Sequence, residues 1–220
     1  MQLKLIYFNA RGLAETSRIL LALAQVNYTD FRFPFEVIDP INHVYKREEF
    51  DLAKKSGKLD SSMGKLPILE ITHENGDVTI IPQSKAIERF LAKKYCFMGD
   101  NEFESAKIDA VCECIRDIKD RFIQKIRNAD DDVKMNYFTK ELNNDLESLA
   151  NILDKKSPYA IGTKLSLADI TIYHLVTLFY DNKVVLDIAG NIPKLRDIVM
   201  KVAPKPEIRV WNQDRPKTLF

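Results

Sequence analysis

The 220-residue chain has no excess of charge of either sign: 33 lysines and arginines stand against 32 acidic residues, a formal net charge of +1. Nucleic acid and anionic membranes both reward clustered positive charge, so this balance gives no footprint for either. Long apolar runs are missing as well. No stretch nears the about 18 uninterrupted apolar residues of a membrane-crossing helix. The opening Met1 to Phe8 meets the polar Asn9 before an apolar signal core develops, so no secretory leader is expected. Cysteine is scarce and unpatterned. Cys96, Cys112 and Cys114 are odd in number and lack CxxC spacing, which argues against a disulfide framework and a structural zinc site. Cys112 and Cys114, two apart in a helical stretch, point away from each other. Reduced thiols in a cytoplasmic protein are the expectation.

What is present suits a soluble fold with a real core. Hydrophobic residues make up 45% and charged residues 30%, and the length allows one large or two modest domains. Leu3 to Phe8 reads as a strand, ended by the loop Asn9 to Gly12. From Leu13 to Leu23 the spacing becomes helical, with Leu13, Ile19, Leu20 and Leu23 on one face. Tyr28 to Phe33 is a second strand, and Asn42 to Lys58 is polar and helical in part. Pro67 to Thr72 and Val78 to Ile81 flank Asn75-Gly76, a strong hairpin signal. A helix with Ile87, Phe90, Leu91 and Tyr95 on one stripe follows. The order is β-α-β-α-β-β-α.

After Cys96 to Asp100 the character changes, and no convincing strand follows. The expected parse is a mixed α/β domain over 1–95, a linker over 96–103 and an all-α domain over 104–220. Ala106 to Ile126 and Val133 to Leu153 read as long helices, with Asp130, Asp131 and Asp132 at the turn between them as a solvated run or a helix start. Ser166 and Asp169 form a short capping box before the apolar helix Ile170 to Tyr180, with Leu165 and Ile170 at staple positions. That is a folding device. His174 within the helix reads as a core or interface histidine.

Tyr7-Phe8-Asn9-Ala10-Arg11-Gly12-Leu13-Ala14-Glu15 resembles the opening of a cytosolic glutathione transferase of the tyrosine type. Gly64 to Glu70, Pro82 to Ile87, and Gly162 with Leu165 to Asp169 fall in the family's order, and the likeness extends to Trp211 to Leu219. It is nearest to the sigma class, which includes the glutathione-dependent prostaglandin D synthases. The resemblance implies a thioredoxin-like domain followed by a helical one, with glutathione as co-substrate and no cofactor. It also implies a cytoplasmic homodimer acting in detoxification on small hydrophobic electrophiles.

The residue types fit that chemistry. A free thiol has a pKa of about 8.5, so its nucleophilic thiolate is a minority at neutral pH. A tyrosine with pKa of about 10 is protonated there and serves as a hydrogen-bond donor to sulfur. Tyr7 stands where the family carries this catalytic residue; on the strand alone it reads equally as a core or rim tyrosine. Leu66-Pro67 resembles the family's cis-proline step, at which Leu66 pairs with the cysteinyl part of glutathione like a short added strand. Gln83 and Ser84 open a helix whose free N–H groups suit a carboxylate, and the family uses them for the γ-glutamyl end; Ser84 also fits a plain cap. Lys65 would lie near the bound peptide or in solvent. Asp117 corresponds, through Ile108 to Val111, to an acidic residue donated across the dimer interface.

Three departures stand out. Leu13 occupies a position where some classes have an arginine. The segment Phe35 to Met63 is longer than in sigma relatives and lacks their tryptophan; Phe50 and Lys54 are the candidates for the glycine end of glutathione, with Tyr45 and Lys46 as competitors. Arg116 sits between Glu113 and Asp117, where the prostaglandin synthases cluster acidic residues for a divalent cation, so no metal is expected. The second-substrate pocket is expected beside Phe8 and Leu13, along the fourth helix near Phe122 and Gln124, and under Leu219 and Phe220. A non-catalytic scaffold of the same fold is the alternative from another class, and a glutathione-dependent isomerase or peroxidase acting on lipid-derived substrates is a second enzymatic one.

Overall fold

The computed structural model describes residues 1–39, 44–126, 129–179 and 182–218, and divides into two compact units. Residues 1–91 and the segment from Val210 form the first; Ala92–Arg209 form the second.

The first unit is built on strands β1 (Gln2–Phe8), β2 (Thr29–Phe33), β5 (Ile68–Thr72) and β6 (Val78–Pro82), in the spatial order β2-β1-β5-β6. β1 runs parallel to β2 and antiparallel to β5, with Tyr7 opposite Arg32 and Leu5 opposite Leu69. A central strand is covered on both faces, which explains the nearly unbroken apolar reading of Leu3 to Phe8. Alternation sends Leu3, Leu5 and Tyr7 to one face and Ile6 and Phe8 to the other. Ile6 joins Phe33, Phe50, Leu59 and Ile68 in a buried cluster against which Phe8, Ala53 and Leu66 pack. The β5–β6 hairpin closes as expected: the Gly76 N–H bonds the His73 carbonyl, the Asp77 N–H bonds the Asn75 side-chain oxygen at 3.1 Å, and Gly76 takes φ 88°.

Helices α1 (Glu15–Leu23), α2 (Glu48–Lys55) and α3 (Ser84–Lys94) alternate with these strands. One feature departs from the expected order. A second, two-stranded sheet joins β3 (Glu36–Asp39) to β4 (Val44–Lys46), so the helix expected within Asn42 to Lys58 is confined to α2. Asn42 and His43 lie outside the described residues. Phe35 stacks on Tyr45 across this added ribbon, at 5.1 Å between ring centroids.

Among the described residues, the second unit is helix and connection only. Its helices are α4 (Glu102–Arg121), α5 (Asp131–Asn136), α6 (Leu142–Asn151), α7 (Leu167–His174), α8 (Lys183–Asn191) and α9 (Pro193–Val202). The last helix, α10 (Pro206–Asp214), runs into the segment that belongs to the first unit. Single π-helical stretches extend α4 (Phe122–Ile126), join α5 to α6 (Tyr137–Glu141) and extend α7 (Leu175–Phe179). The two long helices expected from the sequence are therefore present, each with a wider turn in it. Asp130 caps α5 by accepting from Val133 N at 2.9 Å, which makes the acidic run a helix start.

Helix α7 is buried along its whole length and packs against α4 and α9, with Cys112 Sγ of α4 3.6 Å from the Thr171 hydroxyl. Its capping box is formed. Asp169 accepts from Ser166 N at 2.9 Å and from Ala160 N at 2.7 Å, and the Ser166 hydroxyl donates to it at 2.7 Å. His174 is buried, with the Lys119 ammonium 3.3 Å from its Nδ1, in keeping with a core histidine. Tyr180, where that helix was expected to end, lies outside the described residues.

Candidate functional site

Tyr7 is the penultimate residue of β1 and only 9% exposed. The chain then folds back over it. Gly12 takes φ 41°, and a Cβ there would stand 2.6 Å from the Tyr7 hydroxyl oxygen, so only glycine lets the loop pass this close. That passage brings Leu13 N to 3.2 Å from the Tyr7 hydroxyl, to which it donates. A phenol that accepts one N–H keeps its own proton for another acceptor. Burial pushes the Tyr7 pKa up, opposed by the Leu13 N–H and by the positive charge of Arg18. The group is thus a protonated donor at neutral pH, polarised toward giving its proton to an anion. The Arg18 guanidinium lies 5.9 Å from the ring centroid.

The Leu66-Pro67 bond is cis, as the sequence led us to expect. Pro67 is buried at the start of β5, and Leu66 packs against the cluster that holds Phe8 and Phe50. At the junction of β6 and α3, Gln83 is exposed and held at φ 75°, a conformation that side-chain-bearing residues rarely adopt. Its carbonyl accepts from Ile87 N at 3.0 Å, so the free N–H groups of the first turn of α3 begin at Ser84. Backbone held off its ordinary range at a helix start, beside unpaired donors, is a pattern of anion-holding sites. Lys85 pairs with the buried Glu88 at 2.8 Å, one turn further on.

The remaining candidates fall into two groups. Lys65 and Lys54 are exposed, and the Lys54 stem lies against Gly64, where a Cβ would come within 2.7 Å of it. Phe50 is only 5% exposed, its ring 4.9 Å from that of Phe8 and 5.9 Å from that of Phe33. It is a core residue of the first unit, and its edge contacts are made with other phenylalanines. Leu13 is 53% exposed. In the second unit, Gln124 is exposed and Phe122 is half-buried among Tyr137, Phe138 and Phe179. The Asp117 carboxylate is exposed on α4, 3.8 Å from Arg116, whose guanidinium reaches Glu113 at 2.7 Å. A cation of the chain's own thus already bridges that acidic pair. Leu219 and Phe220 lie outside the described residues.

Sequence reasoning did not single out Gly12, Glu15 or Arg18. Arg18 has no exposure, and its Nη1 donates to the carbonyl of Ala10 at 2.6 Å. Glu15 is 1% exposed and accepts from the Trp211 indole N–H at 2.9 Å. Glu15 carries no local signal, because Trp211 and Arg215 lie about two hundred residues away, and the backbone carbonyls that hold Arg18 leave no mark in side-chain pattern. For Gly12 the signal was its place after the tyrosine strand.

Comparison with known proteins bears on the whole chain. Residues 116–215 match the family described as "Glutathione S-transferase, C-terminal domain". Glutathione S-transferase 3 of Caenorhabditis elegans is 31% identical, with 99% of this chain and 98% of that protein covered. Hematopoietic prostaglandin D synthase of Gallus gallus is 33% identical, with 98% and 97% covered. Among solved structures, monomeric Na-GST-3, a glutathione S-transferase of the hookworm Necator americanus, superposes with a TM-score of 0.78 at 26% identity over the full length of both chains. The arrangement of a thioredoxin-like unit and a helical unit agrees with these neighbours. With relatives at this identity over almost their entire length, the chain belongs to the glutathione S-transferase family.

Proposed function

We propose that this chain conjugates the thiolate of glutathione to small hydrophobic electrophiles, with Tyr7 as the donor that stabilises the thiolate. The observation that carries the reading is the Leu13 N–H···Tyr7 hydroxyl bond of 3.2 Å under a buried ring. It leaves the phenolic proton to be given to sulfur. Lowering a thiol pKa from about 8.5 by about two units takes roughly 2.7 kcal/mol. One charge-assisted hydrogen bond supplies about 1.5–3 kcal/mol, and nearby backbone dipoles add to it. Leu66 would hold the cysteinyl part, and Gln83 and Ser84 the γ-glutamyl carboxylate. Lys54 and Lys65 supply positive charge for the glycine end. Phe50, buried as it is, would act there only by supporting Phe8 and the chain around it. Phe8 and Leu13, in the first unit, would contact the second substrate.

In a cytoplasmic homodimer, Asp117 would reach the γ-glutamyl amine bound to the partner subunit. The hookworm relative is described as monomeric, so a single-chain site is the competing arrangement. A second enzymatic reading, isomerisation of lipid-derived substrates with glutathione, draws support from the chicken relative's name. The Arg116 bridge to Glu113 and Asp117 weighs against a divalent cation on that face. The scaffold alternative gives no reason for a glycine pressed against a tyrosine hydroxyl.

Titration of the thiolate absorbance of bound glutathione tests the proposal. The apparent thiol pKa should lie clearly below that of free glutathione and return toward it in Tyr7→Phe. Superimposable curves for the two proteins would refute the mechanism. Failure to bind immobilised glutathione would favour the scaffold.

A further inference from the structure

Behind Tyr7 runs a line of charges of alternating sign. Arg32 meets Asp30 at 2.6 Å, and Asp30 meets Arg18 at 3.2 Å. Arg18 meets Glu15 at 3.6 Å, and Glu15 meets Arg215 at 3.5 Å. The two central members, Arg18 and Glu15, have 0% and 1% side-chain exposure. Ions so placed are held by their partners or not at all, since each costs several kcal/mol to strip of water.

Two branches give this line a use. The first leaves from Arg18, whose Nη1 donates to the carbonyl oxygens of Ala10 at 2.6 Å and of Arg11 at 3.4 Å. Those residues begin the loop whose end, Leu13 N, donates to the Tyr7 hydroxyl. The loop is therefore fixed at its start by Arg18 and at its finish by Tyr7. The second leaves from Glu15, whose carboxylate accepts from the indole N–H of Trp211, in α10, at 2.9 Å. Trp211 and Arg215 are one helical turn apart, joined by Arg215 N to Trp211 O at 2.9 Å, and both lie in the segment that belongs to the first unit.

We propose that Glu15 and Arg18 are positioning residues for Tyr7, and that Trp211 and Arg215 hold Glu15, so that the seating of the C-terminal segment is read at the tyrosine hydroxyl. The inference rests on the reading of Tyr7 as thiolate donor. Its physical basis is competition for one carboxylate. Glu15 divides its oxygens between Arg18 on one side and Trp211 with Arg215 on the other. Taking away the indole N–H leaves a buried oxygen short of a donor. The cations able to answer are Arg215, 3.5 Å from that oxygen, and Arg18, 3.6 Å from the other, and any turn of the Arg18 guanidinium toward Glu15 loosens its hold on Ala10 and Arg11. Leu13 N then drifts from Tyr7, and the hydroxyl loses the polarising bond. Beyond its own members, the charged and titratable groups around this line are Arg11, Tyr7 and Tyr28; none of them belongs to the C-terminal segment.

Trp211→Phe is the decisive variant, because it removes the donor and keeps an aromatic ring, though a smaller one. Arg215→Met is the second, in case the first fails to fold. The thiolate of bound glutathione is titrated in each, beside Tyr7→Phe and the double variant Trp211→Phe/Tyr7→Phe. We expect the apparent thiol pKa to rise by about 0.5 unit in either single variant, a loss of about threefold in thiolate at a pH below it. Glutathione KM should change by less than about twofold, and Trp211→Phe should add nothing to Tyr7→Phe. A lowered melting temperature with an unmoved thiol pKa would overturn the proposal and leave Trp211 a purely structural anchor. So would equal shifts in the presence and absence of the Tyr7 hydroxyl. Failure of Tyr7→Phe itself to move the thiol pKa would instead sink the underlying reading of Tyr7.

Discussion

The tightest local test of the site is Gly12→Ala. A Cβ at that position would stand 2.6 Å from the Tyr7 hydroxyl oxygen, where real Cβ atoms keep at least 3.0 Å, a deficit of 3.0 − 2.6 = 0.4 Å. It would also stand 2.9 Å from Cε1 of the ring, so the tyrosine cannot escape by turning its hydroxyl alone. The backbone at φ 41° adds strain of about 1–2 kcal/mol for any residue with a side chain. Losing the Leu13 N–H bond adds about 1 kcal/mol. Stability should therefore fall by about 2–3 kcal/mol, visible as a shift of the urea midpoint. The catalytic effect is larger than its stability effect would suggest, because misplacing a catalytic group by a fraction of an ångström to an ångström costs up to about 100-fold. We expect kcat/KM with a chromogenic aryl halide to drop about 10- to 100-fold, mainly in kcat. A cycle with Tyr7→Phe separates the causes. With the hydroxyl gone, Gly12→Ala should keep most of its stability cost and lose most of its catalytic one. An alanine enzyme with undiminished kcat/KM, or one equally impaired on either background, would refute the idea that the glycine exists to place that hydroxyl.

Two further outcomes follow from the charges. Burial raises the pKa of both Tyr7 and Tyr28 above the ordinary tyrosine value, so above a pH of about 10 the unfolded chain releases phenolic protons that the native state retains. Stability from these groups is complete below about pH 10 and is lost as pH rises toward the raised native values; urea midpoints between pH 9 and pH 11 should fall less steeply in Tyr7→Phe, and an identical slope would contradict the assignment. Asp117→Asn, at a side chain that is 70% exposed, should weaken glutathione binding several-fold while sedimentation velocity reports an unchanged assembly, and unaltered affinity would remove Asp117 from the site.

The parts of this fold that were legible from sequence are those whose causes are local. Asn75-Gly76 forced a hairpin because glycine there takes φ 88°. Ser166 and Asp169 capped α7 because both partners sit within one turn. Asp130 started α5 for the same reason. The β3–β4 ribbon escaped notice because its strands are short and its register shifts between Val37 and Asp39, leaving no run of alternation to read. Phe50 is a candidate for the family's missing tryptophan by resemblance, yet its partners Ile6, Phe33 and Ile68 come from three different strands. Only the assembled sheet makes it a core residue. The cis bond before Pro67 was anticipated by family likeness, since composition around it gives no such indication.

Helix α1 shows why the supporting structure of the site was the least legible of all. Seven consecutive residues, Glu15 to Leu21, are buried, so the helix presents no polar face to water although its first four positions are polar. An all-buried helix is ordinarily apolar all round. Here the missing solvent is replaced by groups that helical periodicity does not register: the Ala10 carbonyl, the Asp30 carboxylate and a tryptophan 196 residues from Glu15. Apolar side chains of similar volume would pack such a helix with no loss of stability, because buried ions must first be stripped of water. They could not grip the backbone at Ala10 and Arg11, and that grip sets where Leu13 N stands under the Tyr7 hydroxyl. On the proposed role of Tyr7, the polar turn of α1 is explained by the loop it holds, and the loop by the proton it leaves free.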